Sequence, residues 1–259
     1  MNLLQAIMLG IVQGLTEFLP VSSSGHIEIG KVLFGVDAES GFYFTVAVHG
    51  ATVLSTIAVF WKEIGLLLRG FLKFRMNDET SYILKILVSM IPVGFVGLLM
   101  KNKVEALFDG NILFVGLMLI ITAALLASAH FIRKRERQIG YADALIIGVA
   151  QALAVIPGIS RSGATIATGL MIGNRKDEIA RFSFLMVLIP VLGANFLELL
   201  KAENTMTGPG TAAIIAGSLA AFVSGFFACR WMIGLVRESK MIGFSVYCVA
   251  AGLLAILLG

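Results

Sequence analysis

The first residues along this chain with the types and spacing for chemistry form a polar string in apolar sequence, GIVQGLTEFLPVSSSGH at positions 10–26. Gln13 and Glu17 are four apart and so stack on one face of a helix. Ser23 stands three residues before His26, close enough for a hydroxyl nucleophile and an imidazole base to share a turn. A helix starting near His26 offers an anion its free N–H groups and the positive end of its dipole, with Ser22, Ser24 and Gly25 around the cap. That positive end favours neutral imidazole, which suits a base. A serine run before a helix is by itself only a cap. Its conjunction with Glu17 and His26 points to a site for an anionic substrate.

A partial copy follows 138 positions later, GVAQALAVIPGISRSGA at 148–164. At that offset Gly10 meets Gly148, Gln13 meets Gln151, Ser22 meets Ser160, Ser24 meets Ser162 and Gly25 meets Gly163, while Pro20 and Pro157 slip by one place. The differences carry the chemistry. Glu17 faces Val155, Ser23 faces Arg161 and His26 faces Ala164. One half holds carboxylate, hydroxyl and imidazole; the other holds a guanidinium flanked by Ser160, Ser162 and Gly163 at a second helix start. Arginine clamps phosphate oxygens bidentately and stays charged at any depth. A Glu17–Arg161 ion pair locking the two copies together is the structural reading of the same residues, and the two readings are compatible.

The elements that must position these groups are membrane helices. Of 259 residues, 58% are hydrophobic and 14% charged, against about 25% charged in a soluble domain, and the mean hydropathy is +0.93. Six apolar runs, Phe42–Phe60, Tyr82–Met100, Ile112–Phe131, Ala180–Leu200, Thr211–Met232 and Met241–Leu258, approach the roughly 20 residues needed to cross hydrocarbon. Two further stretches break at their centres. Leu3–Leu19 stops at Pro20 and resumes as His26–Phe34; Ile146–Ile156 stops at Pro157 and resumes as Ala164–Ile172. Proline ends each first arm, and each second arm is too short to span alone. Irregular backbone at that depth survives only where protein buries it or water reaches it.

The chain therefore reads as a single all-α polytopic membrane domain, with six transmembrane helices and two re-entrant hairpins (3–34 and 141–172) in repeats of about 1–132 and 139–259. The basic residues sort accordingly. Lys62, Arg69, Lys73, Arg75, Lys85, Arg133, Lys134, Arg135, Arg137, Arg175, Lys176, Arg181, Arg230, Arg237 and Lys240 fall on one side, and Lys31, Lys101, Lys103 and Lys201 on the other. That imbalance makes the first side cytoplasmic, with both termini outside. The hairpins then enter from opposite sides as inverted repeats whose tips meet near the midplane.

Leu3–Leu19 lacks the basic leader of a signal peptide. Trp61–Ser81 mixes apolar and basic residues as an interfacial helix does. Cys229 and Cys248 fall in predicted spans and read as buried thiols. The formal charge of +4 reports topology rather than nucleic-acid binding. His49 reads as a packed or hydrogen-bonded histidine, Glu28 and Glu198 as helix-end groups, and Asp143 as a cap for the second hairpin. Zinc spacing, a Walker loop and a nucleotide-binding glycine pattern are all missing from the sequence.

At these residues the chain resembles the undecaprenyl-pyrophosphate phosphatase family, also called bacitracin-resistance proteins. That family carries Glu/Gln-x-x-x-Glu, then Pro-x-Ser-Ser-x-Gly-His, and later Pro-Gly-x-Ser-Arg-Ser-Gly. Here these stand as Gln13–Glu17, Pro20–His26 and Pro157–Gly163. The resemblance implies a plasma-membrane hydrolase that takes the terminal phosphate from a polyprenyl diphosphate, with its site open to the outside. It also implies a homodimer and a divalent cation, magnesium or calcium. Carried over residue by residue, it makes Glu17, Ser23, His26 and Arg161 catalytic and Glu17 the candidate metal ligand. Gln13, Ser22, Ser24, Gly25, Ser160, Ser162 and Gly163 would bind the diphosphate. Gln13 is the neutral option at its position, which counts against a metal site built from two carboxylates.

Two other classes compete. Type 2 phosphatidic-acid phosphatases share the Ser-Gly-His fragment, but require a histidine where Ala167 stands. A secondary transporter or polyprenyl-phosphate flippase uses opposed broken helices. Confinement of Glu17, Ser23 and His26 to one copy favours hydrolysis, since transport needs a binding site but no nucleophile.

Overall fold

A computed structural model of the chain describes residues 1–36, 38–100, 111–132, 136–201, 210–238 and 241–259, without the side chains of 38–42 and 196–201. Lys101, Lys103, Arg133, Lys134, Arg135 and Lys240, and the side chains of Glu198 and Lys201, lie outside the described residues. What is described is helical: α1 Leu3–Phe18, α2 Ser23–Phe34, α3 Ala38–Phe71, α4 Asp78–Leu99, α5 Ile112–Phe131, α6 Tyr141–Leu153, α7 Arg161–Met171, α8 Lys176–Met186, α9 Leu188–Lys201, α10 Thr211–Arg237 and α11 Ile242–Leu258. Four of these (the Tyr43–Phe71 part of α3, then α4, α5 and α10) are long and apolar enough to cross a membrane. The protein is an all-helical polytopic membrane protein.

Each broken stretch folds back on itself. The Gln5 side chain near the start of α1 donates to the Phe34 carbonyl at the end of α2, at 2.8 Å. In the second hairpin the Arg137 amide donates to the Gly173 carbonyl and the Arg175 amide to the Arg137 carbonyl, both at 3.0 Å. Arg137 and Asn174 also grip Asp143 from both ends of that hairpin, at 2.6 and 3.1 Å. Asp143 sits one turn inside α6, whose N-cap is Gly140, and accepts that residue's amide at 3.0 Å.

Helix packing is reciprocal between the halves. Gly10 on α1 presses against α10, where an added Cβ would stand 2.2 Å from the Gly217 carbonyl. Its copy, Gly148 on α6, presses against α4, where a Cβ would stand 2.2 Å from the Ser89 carbonyl. Between them α5 and α11 cross at Gly116 and Gly252, each of whose missing Cβ atoms would meet the other's carbonyl. Large buried side chains, among them Ile147, Ile166, Ile179, Phe182 and Met232, fill the core around the second hairpin.

Two expected elements differ. The run Ala180–Leu200 is not one helix: it breaks at Val187, between α8 and α9. Pro190 explains this, because its ring excludes the Met186 carbonyl from the helical position four residues back. Trp61–Ser81 is not a separate interfacial helix either. Its first half continues α3 as far as Phe71, a turn follows, and α4 starts at Asp78 behind an Asn77 cap. Nothing between Phe60 and Phe71 is a strong enough breaker to stop a 34-residue helix, which at 1.5 Å per residue rises about 51 Å and outruns the hydrocarbon.

Candidate functional site

The two hairpin tips are built alike. Ser22 caps α2 and its hydroxyl accepts from the Gly25 amide at 3.3 Å; Ser160 caps α7 and accepts from the Gly163 amide at 3.1 Å. Each cap hydroxyl also lies 3.3 Å from the serine two places on, Ser24 or Ser162. The one-place slip of the prolines has a backbone consequence. The second tip has Gly158 to take its left-handed turn, at φ 94°, whereas the shorter first tip forces φ 69° on Ser22. A non-glycine residue in that region stores strain of about 1–3 kcal/mol, and such strain gathers at functional sites.

The tips touch. The Ser162 hydroxyl donates to the Leu19 carbonyl at 3.1 Å. Gly163 leaves room for Pro20, and Gly25 for Gly158, to within 3.3 and 3.4 Å of where their Cβ atoms would be. Thr122 of α5 steadies the second tip, donating to the Gly158 carbonyl at 3.2 Å and accepting from the Ser160 amide at 3.0 Å.

Glu17 is where both tips converge. Its carboxylate, 8% exposed, accepts from the Arg161 guanidinium on Oε1. Oε2 accepts from the Ser23 hydroxyl at 2.6 Å and from Gln13 Nε2 at 2.9 Å. A buried carboxylate is tolerable only with such a set of partners. His49 of α3 adds one more, with Nε2 at 3.9 Å from Oε2. Beside this group a small open cleft lies, with Glu17, Arg161 and Ser162 at one end, Thr52 and Thr56 along α3, and Val187, Leu188 and Val191 at the helix break.

His26 turns elsewhere. Its Nδ1 is 2.8 Å from the Ser22 carbonyl, which only accepts, so that nitrogen carries the hydrogen. Nε2 is then free to accept from the Tyr247 hydroxyl at 2.7 Å, and the two rings stack 5.6 Å apart at 11°. Ser23 and His26 share a turn but bond to different partners, and the base nearest the Ser23 hydroxyl is Glu17. Tyr247 and Thr122 were not singled out from sequence. Each is a lone polar side chain in an apolar run, with nothing local to mark it.

Among the described residues no three His, Cys, Asp or Glu side chains gather to hold a metal ion. Divalent cations of the magnesium and calcium type take several oxygen donors, carboxylates foremost. Here both Glu17 oxygens are engaged, one by a guanidinium that already supplies positive charge, and the spare acceptor is the neutral, buried Gln13 Oε1. These residues do not fit a cation held by the protein alone.

Comparison with known proteins matches residues 6–254 to the family model described as "Bacitracin resistance protein BacA". The chain is 52% identical over 260 residues to a protein of Parabacteroides distasonis named undecaprenyl-diphosphatase, covering 99% of this chain and 98% of that one. A protein of the same name from Bacteroides thetaiotaomicron is 50% identical, with 99% of both chains covered. One from Methanosphaera stadtmanae is 34% identical, covering 100% of this chain and 98% of that one.

Proposed function

The chain belongs to the bacitracin resistance protein BacA family, and from that premise we propose that its touching hairpin tips form the diphosphate site. The protein is a membrane hydrolase that removes the terminal phosphate of undecaprenyl diphosphate, returning undecaprenyl phosphate to carry envelope precursors. One observation carries the proposal for the site: a single carboxylate, Glu17, is bonded at once to Ser23 of the first tip and Arg161 of the second.

In the proposed reaction the diphosphate lies across the starts of α2 and α7, and Arg161 turns from Glu17 to the phosphate oxygens. Unsatisfied first-turn amides of both helices add donors in water-poor surroundings, where they stabilise developing charge most. Ser22, Ser24, Gly25, Ser160, Ser162 and Gly163 hold that backbone in shape. Ser23 Oγ attacks the terminal phosphorus in line, and its proton passes to Glu17 Oε2. The bond from phosphorus to the bridging oxygen breaks, and undecaprenyl phosphate leaves with the electron pair. Water then attacks the phosphoserine. His26, anchored by Ser22 and Tyr247, orders the first turn of α2. A divalent cation would supply further neutralisation of the diphosphate charge, and would be held by the phosphate oxygens rather than by Glu17, whose oxygens are engaged.

The apolar end of the cleft, at the α8–α9 break, supports entry of the first prenyl unit from the bilayer. The finer membrane arrangement is proposed as six spans plus two re-entrant hairpins of opposite topology, supported by the ends of each hairpin lying side by side. The site opens outward and both termini are outside.

Trapping the intermediate tests the chemistry. Brief incubation of purified protein with terminally labelled substrate should yield an alkali-labile phosphoserine at Ser23 that Ser23→Ala abolishes. An acid-labile phosphohistidine at His26 would overturn the assignment. A protein that only moves lipid releases no phosphate in detergent.

A further inference from the structure

The reaction as proposed leaves His49 without a task, although it stands at the same carboxylate oxygen as the nucleophile. Its Nδ1 lies 2.8 Å from the Thr45 carbonyl in the preceding turn of α3. A carbonyl only accepts, so this nitrogen carries the hydrogen, and neutral imidazole presents a bare Nε2. That nitrogen faces Glu17 Oε2 at 3.9 Å. Oε2 is also the acceptor of the Ser23 hydroxyl at 2.6 Å. Hydroxyl, carboxylate and imidazole thus form a series across three helices, α2, α1 and α3, with the tautomer fixed at its far end. The gap between His49 and Glu17 joins two acceptors and becomes attractive once a proton reaches it.

We infer that His49 is the terminal proton acceptor of a Ser23–Glu17–His49 relay, a positioning residue that acts on the nucleophile through Glu17. This rests on the reading of Ser23 and Glu17 given above. As the Ser23 oxygen bonds to phosphorus, its proton moves to Glu17 Oε2 and on to His49 Nε2, while the bridging P–O bond breaks and its electron pair leaves with undecaprenyl phosphate. Without the second transfer, Glu17 would stay protonated and could not take up the water proton of the second step. With it, the carboxylate is restored and ready for the second step. There a water proton passes to Glu17 as the water oxygen bonds to phosphorus, and then to Ser23 Oγ as the P–Oγ bond breaks. The proton on His49 departs with inorganic phosphate.

Among the described residues, the charged groups that face His49 are Glu17 from α1 and, on the other oxygen of that carboxylate, Arg161 from α7. From α9 comes Asn195, an amide beside Gly50. From α10 come Gly217, Phe222 and Gly225, which carry no charge. Helix α4 meets α3 at Gly70, against Glu79, about 30 Å along the helix from His49. The 3.9 Å separation closes to hydrogen-bond length with a shift of about 1 Å.

The test uses the full-length protein in detergent, with phosphate release from undecaprenyl diphosphate as the readout. His49→Gln keeps a hydrogen-bonding side chain but cannot take a proton. It should lower kcat by about 10²-fold, the scale of a general base, with KM changed less than about twofold. His49→Ala should fall as far and be rescued at least tenfold by added imidazole. A His49→Gln protein with wild-type kcat would overturn the inference. So would a loss in both variants, at unchanged thermal stability, that imidazole does not restore. Glu17→Gln in the same assay separates the two levels. If it is active, the Ser23–Glu17 reading fails; if it is inactive while His49→Gln is normal, only the relay fails.

Discussion

Arg161 and Glu17 neutralise each other in the resting site, so removing either one leaves the other charged and poorly solvated. The carboxylate side chain is 8% exposed and the arginine 27%, which puts the pair between the surface and fully buried regimes. Arg161→Met should therefore destabilise the protein by about 2 kcal/mol. Glu17→Gln combined with Arg161→Met should recover most of that in a thermal melt in detergent, while activity stays absent in both. Recovery of activity along with stability would mean that the pair is only a lock. At this scale the sequence was informative where charge or a hydroxyl run interrupts apolar sequence, because a charged side chain at depth is costly and is normally kept for a function. Glu17, Ser23 and Arg161 were legible in that way. His49 and Tyr247 were not, because imidazole and phenol rings sit comfortably in apolar helices. Their partners also come from distant chain: Tyr247 reaches His26 across 221 positions.

The hairpins work as a unit because each first arm is pressed against a long helix of the opposite repeat. Gly10→Val and Gly148→Val should each force α1 from α10 or α6 from α4, with a cost of about 1–3 kcal/mol and a larger loss of turnover for Gly10, whose helix carries Glu17. Gly94→Ala on α4, where an added Cβ meets nothing within 4 Å, should be neutral or slightly stabilising by helix propensity. Equal effects at all three positions in melting and turnover measurements would contradict this packing account. The hairpin bounds were legible to within a few residues, since proline and serine punctuate them sharply. The break at Val187 was not. Pro190 lies inside an unbroken apolar run, and Pro92 inside α4 leaves that helix continuous, so a proline in such a run does not announce which outcome tertiary packing selects. The extension of α3 to Phe71 was missed because its charges resemble an interfacial pattern although the helix simply continues.

Taken whole, the molecule carries two copies of one sequence motif that differ in their chemical groups. The reciprocal contacts of Gly10 and Gly148, with Gly116 and Gly252 between them, support the proposed inverted repeat. In the sequence that proposal rests on serine, glycine and glutamine recurring at a constant offset; the helix pairs add the spatial part. The proposed orientation is open to direct labelling. Cys229 and Cys248 are buried and give little background. A cysteine at Asn2 should react with a membrane-impermeant thiol reagent in intact cells, and one at Arg75 only after the membrane is breached. The reverse pattern would invert the topology and put the site on the cytoplasmic face.

If hydrolysis needs groups from both hairpin tips at once, phosphate release from undecaprenyl diphosphate will differ sharply between purified wild-type and Arg161→Ala protein. Turnover should fall by about three orders of magnitude while KM changes little, since Arg161 would bind the transferring phosphoryl group more tightly in the transition state than in the bound substrate. An Arg161→Ala protein that turns over within tenfold of wild type would show that the second tip is scaffolding and that the first acts alone.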